Sequence, residues 1–457
     1  TPIIGCEIYR SDDAGLHWKK VNSKPLNLYN TYGYYFGKIS VSNTNQNKLV
    51  ISGYSLMLST DGGQTFKATD NDATHADWHG CWMNPNKDNH WIAGNDGGCN
   101  ITYDDGKHWF KANTPSVGQF YKITVDDAKP YNIYGGLQDN GTWYGPSTTK
   151  DIDQWNYEDT YPWKRLGGGD GMQVQVDTRD NKTVYSGSQF GFYGRRSTDG
   201  TGKRLFIYPR PDLGEGKYRF NWQTPIWLSK HNQDIFYYGS NKFHRSMQKA
   251  DDLQTLSGDL TNGGKEGDIP FGTSTSLVES PMKFGLIYFG TDDGNIQVSK
   301  DAGYTWTKIN NTIPKNFQGL YVSRVTPSAF KESRVYVSLN GYRNDNFGAY
   351  LFVSEDYGTT WIQLGNGLPF EPINVVTEDP KKENIIYVGT DNGLYASFDM
   401  GKTFMVLDNN LPRVPVHDIV VQSRENELVV ATHGRSIYIT KLAPIQKLYD
   451  KWKGDKK

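Results

Sequence analysis

Six aspartates follow short apolar runs that end in a small residue: Asp96, Asp139, Asp170, Asp292, Asp293 and Asp391. Two carboxylates held at the right separation can act as acid and base in glycoside hydrolysis. A close like charge raises the pKa of the one that must stay protonated. Asp139, Asp170 and Asp96 are the candidates for that work. The competing reading is structural, because Asp in a Gly-Asx-Asx-Gly sequence is a good β-turn residue. Gln138-Asp139 is the pair expected to touch a ligand, since a turn has no use for the Gln. Asn140 and Trp143 continue that stretch, and Asp292, Asp293, Asn221, Trp222, His433 and Arg435 complete the candidate ligand-binding set. An Arg such as Arg435 can clasp a carboxylate with two hydrogen bonds, or it can tie the first repeat to the last; the second use is slightly favoured. His75, Asp77 and His79 alternate, so on a strand they would share a face. Without a third strong ligand such a set reads as a polar patch. No CxxC, HExxH or Cys/His cluster occurs, so neither a metal nor a cofactor is expected.

The elements that must position these residues are repeats. Hydroxyl-x-Asp-x-Gly-x-x-aromatic occurs at Ser299–Trp306 and recurs at Ser11–Trp18, Ser59–Phe66, Thr102–Trp109, Ser354–Trp361 and Ser397–Phe404. Each copy sits between β-type runs, which predicts strand, tight turn, strand. Asp13, Asp61, Asp104, Asp301, Asp356 and Asp399 are therefore expected to be structural, accepting hydrogen bonds from their own turns. The Gly supplies positive φ and the ring packs beneath a neighbouring hairpin. A second element, an apolar strand ending in a small residue (Val50–Gly53, Ile133–Gly136, Ile287–Gly290, Ile386–Gly389 among others), returns every 41 to 52 residues or so. Its small residues fit a crowded centre where inner strands converge. Loops of the type Asp-Pro-x-Asn before these strands, such as Asp177–Asn181 and Asp379–Asn384, read as solvent-facing turns.

Composition excludes several classes. The 49 Lys+Arg nearly cancel the 50 Asp+Glu, leaving a formal charge of -1, so no nucleic-acid partner working through bulk charge is expected. No apolar run of about 18 residues occurs, so no membrane span is expected. Aromatics at 14%, with 49 Gly, suit short twisted strands and tight turns, and exposed Tyr and Trp suit sugar or peptide binding. Three cysteines make no disulfide scaffold; Cys81 and Cys99 are expected to be free buried thiols rather than a bridge.

The repeated corner is identified with the Asp-box, or bacterial neuraminidase (BNR) repeat, of sialidases, sortilin-type receptors, xyloglucan-degrading glycosidases and photosystem assembly factors, which are all β-propellers. Three further stretches, Asp77–Pro85 with Gly94–Gly98, Gly118–Tyr121 with Gly135–Trp143 and Gly167–Gly171, and Arg219–Pro225 with Gly290–Gly294 and Ala431–Ser436, resemble large secreted bacterial proteins along almost the whole chain. These are labelled BNR-repeat glycosyl hydrolases or sortilin-like proteins. The resemblance implies an all-β Asp-box propeller, secreted, periplasmic or on the cell surface. It also implies that the chain starts mid-blade, with an amino-terminal portion missing. The Arg triad and amino-terminal signature that sialidases share are absent, which argues against that activity.

Two architectures fit the spacing. In the favoured one, 1–115 are terminal blades of a first propeller, 116–441 a seven-bladed propeller and 442–457 a tail or linker. The other is a single nine- or ten-bladed sortilin-like ring. The expected function is a binding module recognising a glycan or peptide, or another envelope protein, at the propeller mouth. The alternative is a glycoside hydrolase acting on a polysaccharide through paired Asp residues.

Overall fold

The computed structural model describes residues 5–29, 32–72, 74–112, 116–150 and 161–455. The chain is an all-β propeller built from antiparallel sheets of consecutive strands, and it divides into two compact units, Thr1–Val117 and Gly118–Lys457.

The first unit holds a two-stranded hairpin (Tyr9–Arg10 with Lys19–Lys20) and two four-stranded sheets, which start at Lys38–Val41 and Trp78–Asn84. In the second unit, among the described residues, six four-stranded sheets are followed by one of three strands. Their leading strands are Phe120–Val125, Val174–Val176, Ile226–Leu228, Ser274–Glu279, Tyr321–Pro327, Ile373–Glu378 and Val416–Gln422. Each leading strand adjoins the next, and the last adjoins the first.

This ring corrects one expectation. The apolar strands ending in small residues are not innermost; each is the second strand of its sheet, buried on both faces between neighbours, as at Ile287–Thr291. Their small residues serve close packing one layer out. A Cβ on Gly136 would collide with the carbonyl of Met172 in the next sheet.

An innermost strand has a free backbone edge that needs hydrogen-bond partners away from bulk water. Side chains from neighbouring leading strands supply them. Gln173 and Gln175 accept from Ile226 N and Leu228 N, Ser276 accepts from Val325 N, and Ser323 and Thr326 donate to the carbonyls of Ile373 and Val376. At the closure, Asp418 accepts from Ile123 N at 3.0 Å and Gln422 donates to Asp126 O at 2.9 Å.

The repeated corner has the same geometry throughout. At Ser299–Trp306 the Ser299 hydroxyl donates to Asp301 (2.8 Å) and accepts from Gly303 N (2.8 Å). Asp301 in turn accepts from Thr305 N and Thr305 Oγ1. Gly303 has φ +96°. Trp306 packs edge-on against Phe243 of the preceding sheet, with centroids 5.1 Å apart.

Two further expectations change. Asp177 and Asp379, in loops read as solvent-facing, are buried. Asp379 accepts from Lys381 N, Lys382 N and the Tyr387 hydroxyl, so the acid caps its own turn and satisfies a buried tyrosine of the second strand. In the tail, Ala443–Asp455 is a helix packed on the last two sheets through Tyr449 and Trp452, with Leu442 just before it in the same core, and Gln446 donates to Asp379. Cys6, Cys81 and Cys99 are free thiols; Cys81 and Cys99 are half-buried rather than buried.

Candidate functional site

The leading strands of the second unit all start at one face of the ring. Because second strands run antiparallel to them, the hairpins between second and third strands turn back at that same face. The loop Gln138-Asp139-Asn140 is one such hairpin. Asp139 sits at φ +59° and Gly141 at φ +75°, so a tight reversal presents Gln138 and Asp139 at the mouth.

Tyr121, second residue of its leading strand, is the centre of the site. Its hydroxyl donates to Gln138 Oε1 and accepts from Trp222 Nε1 at 3.1 Å. Gln138 Nε2 donates to Asp139 Oδ1 (2.9 Å) and to Asp170 Oδ1 (3.0 Å). Asp139 N also donates to Asp170 Oδ1 (2.8 Å), and Gln189 Nε2 donates to Asp170 Oδ2 (2.7 Å). Residues of three successive sheets thus meet in one polar network. Burial, with Asp170 and Asp139 nearby and despite the Trp222 hydrogen bond, pushes the Tyr121 phenol up to about 12, so it stays a neutral donor.

Around this network stand aromatic rings. Half-buried Trp222 meets Phe190 edge-on at 5.2 Å. His433 lies 5.2 Å from the Tyr121 ring and stacks on His417 at 4.2 Å. Burial pulls both imidazoles below their usual range, His417 to about 3, so the stack is neutral. Arg343 lies 4.5 Å from the ring centres of both Tyr321 and Tyr342.

The other predicted residues separate into kinds. Asp292 accepts from Thr273 N and Thr273 Oγ1, to which Asn221 also donates; burial pushes its carboxyl up, as it does that of Asp391. Asp293 is locked by Thr291 and Asn262 N, a structural arrangement. Asn140 Nδ2 donates to Gln138 O, and Trp143 Nε1 donates to Asn140 O while its ring joins the core of its sheet, so both brace the hairpin. His433 N donates to Pro415 O, and Gly434 N donates to Gly118 O. The main chain there, not the Arg435 side chain, ties the last sheet to the first. Arg435 is exposed, and among the described residues its guanidinium has no partner.

Asp96 belongs to the first unit, where it pairs with His79 Nε2 at 2.6 Å, and is not one of the acids of this ring. The alternating face expected of His75, Asp77 and His79 does not form. The strand begins at Trp78, and Asp77 has φ +62°.

Tyr121, Gln189 and His417 were not among the predicted residues. Tyr121 lay within a stretch already singled out; the other two become visible only when separate sheets are brought together.

No protein-family model matches the chain, and no curated protein is similar to it. Solved structures are similar in fold. A GH74 enzyme from Niastella koreensis is 15% identical, over 95% of this chain and 72% of that one, with a TM-score of 0.33. The extracellular domain of a hybrid two-component system from B. thetaiotaomicron is 14% identical, over 95% of this chain and 54% of that one, with a TM-score of 0.49. A GH74 xyloglucanase from Xanthomonas campestris is 13% identical, over 95% of this chain and 74% of that one, with a TM-score of 0.30.

Proposed function

We propose that 116–441 form a seven-bladed binding module that recognises a glycan or peptide at the mouth built around Tyr121, and that 1–115 are terminal blades of a preceding propeller. The observation that carries this reading is the convergence of Tyr121, Gln138, Asp139, Asp170 and Gln189 beside Trp222. Fixed donors and acceptors next to a flat ring suit a sugar face or a peptide group. The resemblance of the repeats to secreted bacterial proteins supports a place outside the cytoplasm or in the envelope, with a glycan or another envelope protein as ligand.

One observation favours hydrolysis as the second reading: Asp139 and Asp170 accept from the same Gln138 nitrogen. Two carboxylates so close suit the short separation, about 5 Å, of a double-displacement glycosidase. Against it, Asp170 is buried and already accepts from three donors, which stabilises the carboxylate and opposes a proton-donating role. Asp170 is better suited to positioning Asp139.

The test is a panel of plant and bacterial polysaccharides and peptides, read by calorimetry for binding and by reducing-end release for turnover. The expected outcome is binding without release, with affinity lowered about tenfold by Trp222→Ala. Release that Asp139→Asn abolishes would replace the module by the hydrolase, and absence of both would remove the mouth as a site.

A further inference from the structure

Beneath the mouth the seven leading strands enclose a channel of about 660 Å³. Partway down it, Lys122 and Arg324 point at a single carboxylate. Arg324 Nη2 lies 2.6 Å from Asp418 Oδ1, and Lys122 Nζ lies 4.0 Å from the same oxygen. Asp418 Oδ2 is committed to Ile123 N. A third cation, Lys230, lies two positions past its leading strand, at the far end of the channel that Asp127 and Arg424 also line, with its ammonium 5.9 Å from the Trp227 ring. The middle holds two cations, Lys122 and Arg324, against the one carboxylate of Asp418. The acids Glu279, Glu378 and Asp379 line the lumen at the far ends of their strands, and each is occupied by hydroxyl or backbone donors. The middle of the channel therefore carries more positive than negative charge.

A second observation points the same way. Arg324 Nε is buried and has no acceptor. A buried guanidinium nitrogen without an acceptor is costly, and in an enclosed lumen an anion is its natural partner. Enclosure, together with the Arg324 charge and against the pull of Asp418, brings the Lys122 ammonium down to about 7. That is the response of a cation short of counter-charge.

We propose that the channel segment between Lys122 and Arg324 is an oxyanion site, taking a carboxylate, sulfate or phosphate group alongside Asp418. The group enters either as a free inorganic anion or as the acidic substituent of a sugar such as a uronate. Lys122 supplies a point charge and Arg324 Nε a directed donor, while Asp418 holds the guanidinium in place. The site stands on the lumen and does not depend on the mouth reading, which concerns Tyr121 and Trp222 and is tested through Trp222→Ala and Asp139→Asn rather than through Lys122.

The test uses the full chain at fixed ionic strength held with NaCl. Thermal unfolding and calorimetry are recorded with sodium sulfate, sodium acetate, D-galacturonate and, as neutral control, D-galactose. Sulfate or galacturonate is expected to raise Tm and to bind, with galactose inert. Lys122→Met is expected to weaken that binding about tenfold or more, the loss of one charge-assisted contact; Lys122→Gln replaces it if the methionine variant does not fold. Binding of sulfate without galacturonate assigns the site to a free ion, and galacturonate displaced by sulfate assigns it to a sugar acid. If no anion moves Tm beyond the NaCl reference, or the Lys122 variant responds like the parent, the proposal is overturned.

Discussion

The first unit and the ring of the second use the same corner and differ in a leading strand, Lys38–Val41 in the first unit being exposed where those of the ring are buried. Ser11 donates to Asp13 at 2.8 Å just as Ser299 donates to Asp301. The leading strand Lys38–Val41 nevertheless leaves Ile39 50% and Val41 52% exposed, whereas Ile123, Val325 and Val375 of the ring are 4%, 2% and 1% exposed. Trp18, which closes the first corner, is 63% exposed, while Trp306 and Trp361 are half-buried and Trp361 Nε1 donates to Ile309 O of the preceding sheet. The corner is a local device that forms wherever its residues occur. Burial of leading strands is collective and comes from the neighbours on either side.

The largest expected effect tests that collective part. Asp418 is buried and satisfies both Ile123 N and Arg324. Asp418→Ala leaves Arg324 and Lys122 without their carboxylate, and should cost about 3–5 kcal/mol. Hydrogen exchange resolved by segment should show Phe120–Val125 and Val416–Gln422 losing protection while Leu49–Ser52 keeps it. Equal loss in both units, or none, would mean that the ring is not held as argued.

A smaller effect sharpens the contrast at the corner itself. A Cβ on Gly303 (φ +96°) would overlap Phe243 Cε1, whereas one on Gly15 (φ +93°) would come no closer than 3.8 Å to Trp18 Cζ2. Both substitutions force an L-residue into a left-handed conformation, and only the first adds a steric collision. Gly303→Ala should cost about 2–4 kcal/mol and Gly15→Ala about 1 kcal/mol, read from urea midpoints. Equal costs would show that the neighbouring sheet yields freely.

What was legible in the sequence follows the same division. The corner could be read residue by residue because its hydrogen bonds span only two to four positions, between Ser299 and Asp301, Ser299 and Gly303, and Asp301 and Thr305. The innermost strand was misplaced by one because leading and second strands are both short and apolar, and only adjacency between sheets distinguishes them. Asp379 looked like a turn residue, which it is, but its second role needed the Tyr387 hydroxyl of the next strand. The mouth was half legible: Gln138, Asp139 and Asp170 were named, yet Gln189 and the Tyr121–Trp222 contact link separate sheets. Least legible was the channel cluster, whose members Arg324 and Asp418 lie 94 positions apart, with the Asp418–Ile123 contact spanning 295. No local pattern marks such a cluster.

The smallest effect concerns the corners of the first unit under acid. Hydrogen bonds from the Thr65 hydroxyl and backbone hold the Asp61 carboxyl at about 2, and those from the His108 ring and backbone hold Asp104 at about 2. Both folded values lie below the ordinary 3.8 of the unfolded chain. Unfolding therefore takes up protons on acidification. The corners' contribution is complete above about pH 4 and is lost as the pH falls towards 2. Both carboxylates are solvent-facing, so the loss is modest and salt-sensitive. Urea midpoints should stay level from pH 7 to 5 and decline between 4 and 2, and Asp61→Asn should flatten that decline. Because the leading strand beside it, Lys38–Val41, is exposed, exchange protection should fail first at Leu56–Ser59 and only at lower pH at Ile296–Ser299, which leads into the corner of Asp301, an acid lowered by the same kind of Thr contacts. Simultaneous loss in both segments would mean that the corner, and not the ring, sets the acid limit of the whole chain.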